Sequence, residues 1–390
     1  MENTFETGVD RHGTACIKWD FQALDYEGKT GLLPFSIADA DYPTYQPILD
    51  ALKKRIDNGV IGYTDLNEDY YTPVKNWVRR RHGWEIKSEW IVPVGGIVPS
   101  MCNAIEALTG PDDAVIVQPP VYDPFYSIIH ASGRKMVCND LIRDEQGYHM
   151  DFDGLEKLCR DGAKVLLLCN PHNPVCRVWT MEELQRVAEI AAKYNILVIS
   201  DEIHWDLMLY GYKHTTMGMF PEIYKNLIVC TSCSKTFNIA GLETSNLIIP
   251  DNDLRGRFQS YLFSRYEFVP NTLGLEAVKA AYKDGDDWVD EENRYLTGNV
   301  DIVRSFLSEN LPKVTMADPQ GTYLLWFDMT AYGKTSKELI RAIAEEGAGL
   351  NGGKEYGDKY DGFVRMNVAC PRKQLTAGLE CIKRALDKQS

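Results

Sequence analysis

Short apolar runs alternating with helix-period stretches dominate the middle of this chain. The runs at 113–120, 164–171, 195–201, 227–232 and 245–250 are almost continuously apolar, the pattern of strands buried on both faces. Between the second and third, Thr180-Met-Glu-Glu183 is a capping box, and the helix it opens carries Leu184, Val187, Ala188 and Ala191 on one face. Strand, helix and strand in this order predict parallel pairing through right-handed crossovers. A further helical stretch, 99–108, follows Gly95-Gly96-Ile97-Val98 and stops at Gly110-Pro111. Polar residues gather where the runs end, at 170–173, 201–204 and 232–235. In open α/β sheets ligands bind outside those carboxyl ends.

Beyond Tyr282 the pattern changes. Residues 286–311 read as one long helix, with Trp288, Val289, Leu296, Val300, Val303 and Leu307 as its apolar stripe and Pro312 past its end. Strands at 321–328 and 363–369 and helices at 336–346 and 372–388 then make a smaller α/β unit. The segment up to about Pro47 has no periodicity of its own and is expected to fold against that unit. The predicted division is therefore a large domain, 48–285, and a small domain made of 1–47 with 286–390, bridged by the long helix.

Composition narrows the partners. At 390 residues and 44% hydrophobic, the chain can bury a sizeable core. A net charge of −14 argues against nucleic-acid binding, which rewards cationic surfaces. No apolar stretch has signal-peptide or membrane-span length, so a cytoplasmic protein without a membrane partner is expected. The ten cysteines show no framework spacing. Cys230 and Cys233 form a C-x-x-C without a second ligand pair, so reduced core cysteine and no metal are expected, with a redox or metal role as the alternative.

Candidate chemistry sits at two neighbouring run ends. Asp201 closes one run, and Ser232-Cys-Ser234-Lys235 closes the next. A buried carboxylate can pair with a protonated pyridine nitrogen while a lysine condenses with an aldehyde on the same ring as a Schiff base. That arrangement anchors pyridoxal 5'-phosphate and implies amino-acid substrates. Lys235 is then both the attachment point and the base for the Cα proton, and Asp201 keeps the ring nitrogen protonated. The bland alternatives are a surface lysine and a helix N-cap. Gly96 and Ile97, at a helix N-terminus, are candidates for the phosphate. Arg365 is the candidate for the substrate α-carboxylate, which a guanidinium grips with two parallel bonds.

Eight stretches in order carry a resemblance. They are Asp10-Arg-His-Gly-Thr14 with Lys18-Trp-Asp20, Ala38-Asp39-Ala-Asp41, Gly62-Tyr63-Thr64, Arg81-His-Gly-Trp84, Pro120-Val-Tyr122-Asp-Pro-Phe-Tyr126, Asn170-Pro-His-Asn173-Pro174, Gly321-Thr-Tyr323-Leu, and Arg365-Met-Asn367-Val-Ala-Cys370-Pro-Arg372, joined by the Asp201 and Lys235 segments. Together they resemble fold-type I pyridoxal-phosphate enzymes of the aminotransferase class I/II superfamily. The branch they most resemble is that of bacterial cystathionine β-lyases and cysteine-S-conjugate β-lyases, which includes the maltose-regulon modulator.

The resemblance implies an α/β fold, with a large domain built on a mostly parallel seven-stranded sheet flanked by helices, plus a smaller α/β domain. It implies a homodimer with shared active sites and a C–S β-lyase releasing thiol, pyruvate and ammonia. An aminotransferase is the alternative, and a regulatory partner of a transcription factor a third. It also implies that Tyr122 stacks on the cofactor, as a catalytic residue beside Lys235, and that Asn173 bonds the ring 3-oxygen. Ser232 adds a hydroxyl to the phosphate, and Tyr63 reaches it from the other subunit. Tyr323 and Ala38 line the substrate cavity. For each aromatic, core packing is the alternative. His204 stands where related aminotransferases carry a tyrosine near the ring oxygen; a satisfied structural histidine is the alternative. Four positions depart from the family pattern. Ser36 and Ala40 replace Trp and Met, Glu243 replaces a basic residue, and Gly352 replaces a proline.

Overall fold

The computed structural model describes residues 2–267 and 270–388. Positions 1, 389 and 390 of the predicted small domain, and 268–269 of the large one, lie outside the described residues. A seven-stranded sheet organises the larger part of the chain, in the spatial order Ile91–Val94, Ser245–Ile248, Leu227–Thr231, Leu197–Asp201, Val165–Cys169, Ala114–Val117, Lys135–Cys138. The five strands from Leu227–Thr231 to Lys135–Cys138 run parallel.

Alternate residues of the central strands feed opposite faces, as a two-residue period requires. Leu166, Leu168, Val198, Leu227 and Val229 join one apolar core. Val165, Leu167, Ile199, Ile228 and Cys230 join the other. The continuous apolar runs are therefore explained by burial on both sides. Cys230 belongs to one core and Cys233 to the opposite one, so the C-x-x-C spacing does not assemble a common site. All ten cysteines are free.

Each of the five apolar runs is a strand, but Ser245–Ile248 is antiparallel to both neighbours. Its connection from Leu227–Thr231 holds one turn of 3₁₀ helix, Ala240–Leu242, and no α-helix to carry the chain back for a parallel return. Two strands of the sheet are not evident from periodicity. Ile91–Val94 contains Pro93, and Lys135–Cys138 is an edge strand with mostly exposed side chains. The helix Met181–Tyr194 shows both halves of the capping box, and Asn195 closes it at φ 54°.

The 25-residue helix Asp286–Asn310 buries its predicted stripe together with the polar Glu292 and Asn299. These two link the helix to other segments. Glu292 accepts from Tyr42 Oη at 2.5 Å, and Asn299 Nδ2 donates to the carbonyls of Val368 and Cys370 at 2.8 and 3.0 Å. Beyond it lies a four-stranded antiparallel sheet ordered Thr315–Met316, Leu324–Asp328, Phe363–Asn367, Asn351–Gly352. The strand expected from 321 starts only at Leu324, because Thr322 sits at φ 67°. Leu33–Pro34 pairs in parallel with Ala348–Gly349 as a separate two-stranded sheet, and the Phe35 carbonyl accepts the Asn367 amide, so the N-terminal segment docks beside the four-stranded sheet. None of the described helices is long and apolar enough to cross a membrane.

Two substitutions separate core packing from capping. Leu168→Ala, in a fully buried central strand, is expected to destabilise by about 2–5 kcal/mol. Thr180→Ala should cost about 1 kcal/mol through the lost cap. Urea midpoints falling in that order are the check.

Candidate active site

The carboxyl ends of the parallel strands deliver most of the candidate residues to one place. Asp201 is the last residue of Leu197–Asp201, Asn173 lies just beyond Val165–Cys169, and Lys235 just beyond Leu227–Thr231. A single cleft is lined by Ala38, Ile97, Tyr122, Asn173, Asp201, His204 and Lys235. Val98, Cys169 and Ile203, not foreseen from the sequence, complete its wall.

Lys235 is not a surface lysine. Its Nζ donates 2.7 Å to the Ala38 carbonyl, which also accepts Tyr323 Oη at 3.0 Å. Burial lowers the amine to about 8, against the attraction of Asp39 and Asp201. Asp201 is likewise withdrawn from water. Its Oδ1 accepts from the Ile203 amide at 3.2 Å, and burial raises the carboxyl to about 7, with Lys235 opposing. His204 is buried, with Nδ1 unpartnered among the described residues. Burial, then the charges of Lys235 and Arg365, hold its imidazole neutral, well below the usual range. Its ring meets Tyr323 edge-on at 5.8 Å.

Arg365 reaches the cleft through Asn173, whose Oδ1 accepts Nη1 at 3.3 Å. Nη2 donates to the Ser36 carbonyl and to Asn351 Oδ1 at 2.8 and 2.9 Å, while the buried Nε has no partner. The guanidinium lies 5.0 Å from the centre of the Tyr356 ring. Gly96, at φ 133°, is the N-cap of the twelve-residue helix Ile97–Leu108, and only glycine takes that conformation without strain. Ser232 is buried, but its hydroxyl donates to the Thr244 carbonyl at 3.1 Å and accepts from the Ser234 amide. Tyr63 is fully exposed, at 112%, and does not line the cleft of its own chain. The Glu243 side chain points to solvent, with the backbone at φ 45°.

Two supporting groups escaped the sequence reading. Asn238 binds the strap at Ala40 from both sides, Oδ1 accepting the amide at 3.1 Å and Nδ2 donating to the carbonyl at 3.0 Å. Arg11 grips Asp39 with two bonds of 2.9 and 2.7 Å, and Lys18 Nζ donates to Asp41 at 2.9 Å. The nearest signal was the Asp10–Asp20 motif, with Arg11 and Lys18, together with Ala38–Asp41, with Asp39 and Asp41.

The sheet order and the strand-end site define a fold-type I pyridoxal-phosphate-dependent fold. The chain belongs to the aminotransferase class I and II family, matched over residues 30–382. It is 39% identical over 385 residues to cystathionine β-lyase PatB of Bacillus subtilis (strain 168), covering 98% of this chain and 99% of that one. Protein MalY of Escherichia coli (strain K12) is 32% identical over 386 residues, covering 98% of each. Cystalysin from Treponema denticola, whose structure contains a pyridoxal 5'-phosphate cofactor, superposes with a TM-score of 0.95 at 35% identity over 99% of both chains. The pyridoxal-phosphate-bound C–S lyase from Staphylococcus hominis superposes at 0.92 with 29% identity, over 98% of this chain and 97% of that one.

The donor set here suits such a cofactor. A half-buried amine, a buried carboxyl without a cation bonded to it among the described residues, an unpartnered imidazole nitrogen and a helix N-terminus all border one cleft. A carboxyl whose folded pKa, about 7, exceeds its ordinary value of 3.8 favours the folded state most at low pH. That contribution is lost as pH rises from 3.8 through about 7. In ligand-free protein, Asp201→Asn should therefore lose less stability than wild type between about pH 4 and pH 8, by a few kcal/mol at most. Coincident urea-denaturation profiles for the two proteins would contradict the buried, unpaired carboxyl.

Proposed function

We propose that this chain is a pyridoxal-phosphate-dependent carbon–sulfur β-lyase, converting S-substituted cysteines such as cystathionine to a thiol, pyruvate and ammonia. The observation that carries it is the half-buried Lys235 amine and the buried Asp201 carboxyl on one cleft. It is supported by 39% identity to a cystathionine β-lyase over 98% of the chain. When bound, the cofactor supplies a carbonyl for the substrate amine and a cationic ring that takes up charge left at Cα.

The chain's residues divide the remaining work. Lys235 would hold the cofactor carbonyl, Asp201 the ring nitrogen and Asn173 with His204 the ring oxygen. Tyr122 would cover the ring, and the Gly96–Ile97 helix N-terminus would take the phosphate, with Ser232 joining it only by turning its hydroxyl from the Thr244 carbonyl. Arg365 binds the substrate α-carboxylate, and Ala38 and Tyr323 border the substrate. When released from the cofactor carbonyl by the incoming substrate amine, Lys235, its amine lowered to about 8, would have a neutral fraction at neutral pH that can accept the Cα proton. The Ala38 carbonyl fixes Nζ while it does so. The proton gained by Nζ is then available to the departing thiolate. A neutral His204 adds no competing cation beside Lys235.

Tyr63 acts across a homodimer, at the phosphate of the neighbouring subunit's site. Support comes from Val60, Ile61 and Tyr63, apolar side chains exposed in sequence on one loop. The chain divides into 48–285 and a second unit of 1–47 with 286–390, a reading supported by the pairing of Leu33–Pro34 with Ala348–Gly349. A cytoplasmic location is supported by the net charge of −14 and the ten free cysteines.

Cystathionine supplied without any keto acid should yield pyruvate and free thiol over many turnovers. Conversion that halts after one equivalent would favour the aminotransferase alternative, which uses the same contacts. Lys235→Ala is expected to lower turnover by a factor of about 10² to 10⁴. Arg365→Lys should raise KM about tenfold or more, because a hydrogen bond to a charged group contributes about 1.5–3 kcal/mol.

A further inference from the structure

A second cavity, of about 710 Å³, lies between the end of the helix Glu68–His82, the loop 205–214 and the first turns of Asp286–Asn310. It shares no lining residue with the cleft around Lys235. Four of its lining residues carry a buried polar atom without a partner among the described residues: His82 Nδ1, Trp205 Nε1, His214 Nδ1 and Asn293 Oδ1. The three rings are packed together. His82 stacks on Trp205 with centroids 3.8 Å apart, and His214 meets His82 edge-on at 5.7 Å. The side chains of His82 and His214 are 3% and 1% exposed, and Trp205 is 1% exposed.

Each imidazole is backed by a buried carboxylate. His82 Nε2 donates to Asp206 Oδ1 at 3.0 Å, and His214 Nε2 donates to Glu202 Oε2 at 2.9 Å. A carboxylate only accepts, so each ring carries its proton on Nε2 and leaves Nδ1 unmet. Neither carboxylate is free to turn into the cavity. Asp206 also accepts from Trp77 Nε1 and Thr236 Oγ1 at 3.2 and 3.1 Å, and Glu202 from Ser200 Oγ and the Met217 amide at 2.8 and 2.9 Å. A carboxylate behind an imidazole stabilises the imidazolium, whose Nδ1–H can then donate to an anion. Burial lowers His82 below its ordinary value, with Asp206 opposing, so its second proton arrives with the anion. Trp205 Nε1 can only donate, whereas Asn293 spends Nδ2 on the Asp206 carbonyl at 2.8 Å and keeps Oδ1 to accept.

The rim is cationic. Arg80 and Arg81 are matched by Asp286 and Asp290. Arg294 has only Glu291 at 3.9 Å, and the exposed Lys213 forms no ion pair among the described residues. Three ring donors beside an unmatched ammonium suit the three acceptor oxygens and double charge of a phosphate monoester. The volume leaves room for an organic body, and Asn293 Oδ1 calls for a hydroxyl on it. We propose that this cavity binds the phosphate monoester of a small hydroxylated molecule, held by Trp205, His82, His214 and Lys213.

The test is calorimetric titration of protein loaded with pyridoxal phosphate, whose own phosphate site is then filled. Glycerol 3-phosphate is the probe, with glycerate as the carboxylate analogue and glycerol as the uncharged one. One glycerol 3-phosphate should bind per chain, about tenfold or more tighter than glycerate, with no heat from glycerol. Lys213→Ala and Trp205→Phe should each weaken it about tenfold, the effect of one hydrogen bond to a charged group. Melting temperatures of the ligand-free variants close to that of the parent show that both are folded. No binding of glycerol 3-phosphate, equal affinity for glycerate, or unchanged affinity in both variants would overturn the site. None of these outcomes bears on the lyase reading.

Discussion

Two ionisable groups are held out of water at the ends of neighbouring parallel strands, and the surrounding structure is arranged around that burial. Asp201 pairs in register with Cys230, on the strand whose continuation reaches Lys235. Apolar cores on both faces of the sheet keep the strand ends dry. Dryness disfavours the charged form of each group, so the carboxyl rises to about 7 and the amine falls to about 8. Far apart in water, the two values nearly meet here.

The second half of the site has no regular secondary structure and is built from side chains reaching to backbone. Residues 36–41 carry carbonyls that accept from Arg365, Asn367, Lys235, Tyr323, Lys18 and Asn238. An unstructured strap at this depth would otherwise leave buried carbonyls unpaired. Its polar neighbours supply the missing partners. The strap in turn presents the Ala38 carbonyl to the reactive amine.

How much of this was legible follows from the same physics. Strands buried on both faces announce themselves as continuous apolar runs, and Asp201 and Lys235 stand out because a charged residue closes each one. The direction of Ser245–Ile248 was not legible, since pairing sense depends on the route of the connection and not on the strand's own residues. Lys135–Cys138 was hidden by its exposed edge, and Asn351–Gly352 by being two residues long. The role of Ala38 was visible only through resemblance, because a backbone carbonyl has no sequence signature. Tyr63 remained a surface residue on geometry alone. Asn238 drew no attention because its work is bonding a strap nearly two hundred positions away.

The docking of Leu33–Pro34 on Ala348–Gly349, with Phe35 bonded to both Gly349 and Asn367, has a consequence for biosynthesis. The residues that border Lys235 are translated first, but their docking partners emerge almost last. A nascent chain can complete the parallel sheet while still on the ribosome, yet the segment over Lys235 stays undocked until the C-terminal strands are released. A chain truncated before Gly349 would carry both Asp201 and Lys235 without the strand pairing that fixes residues 33–35.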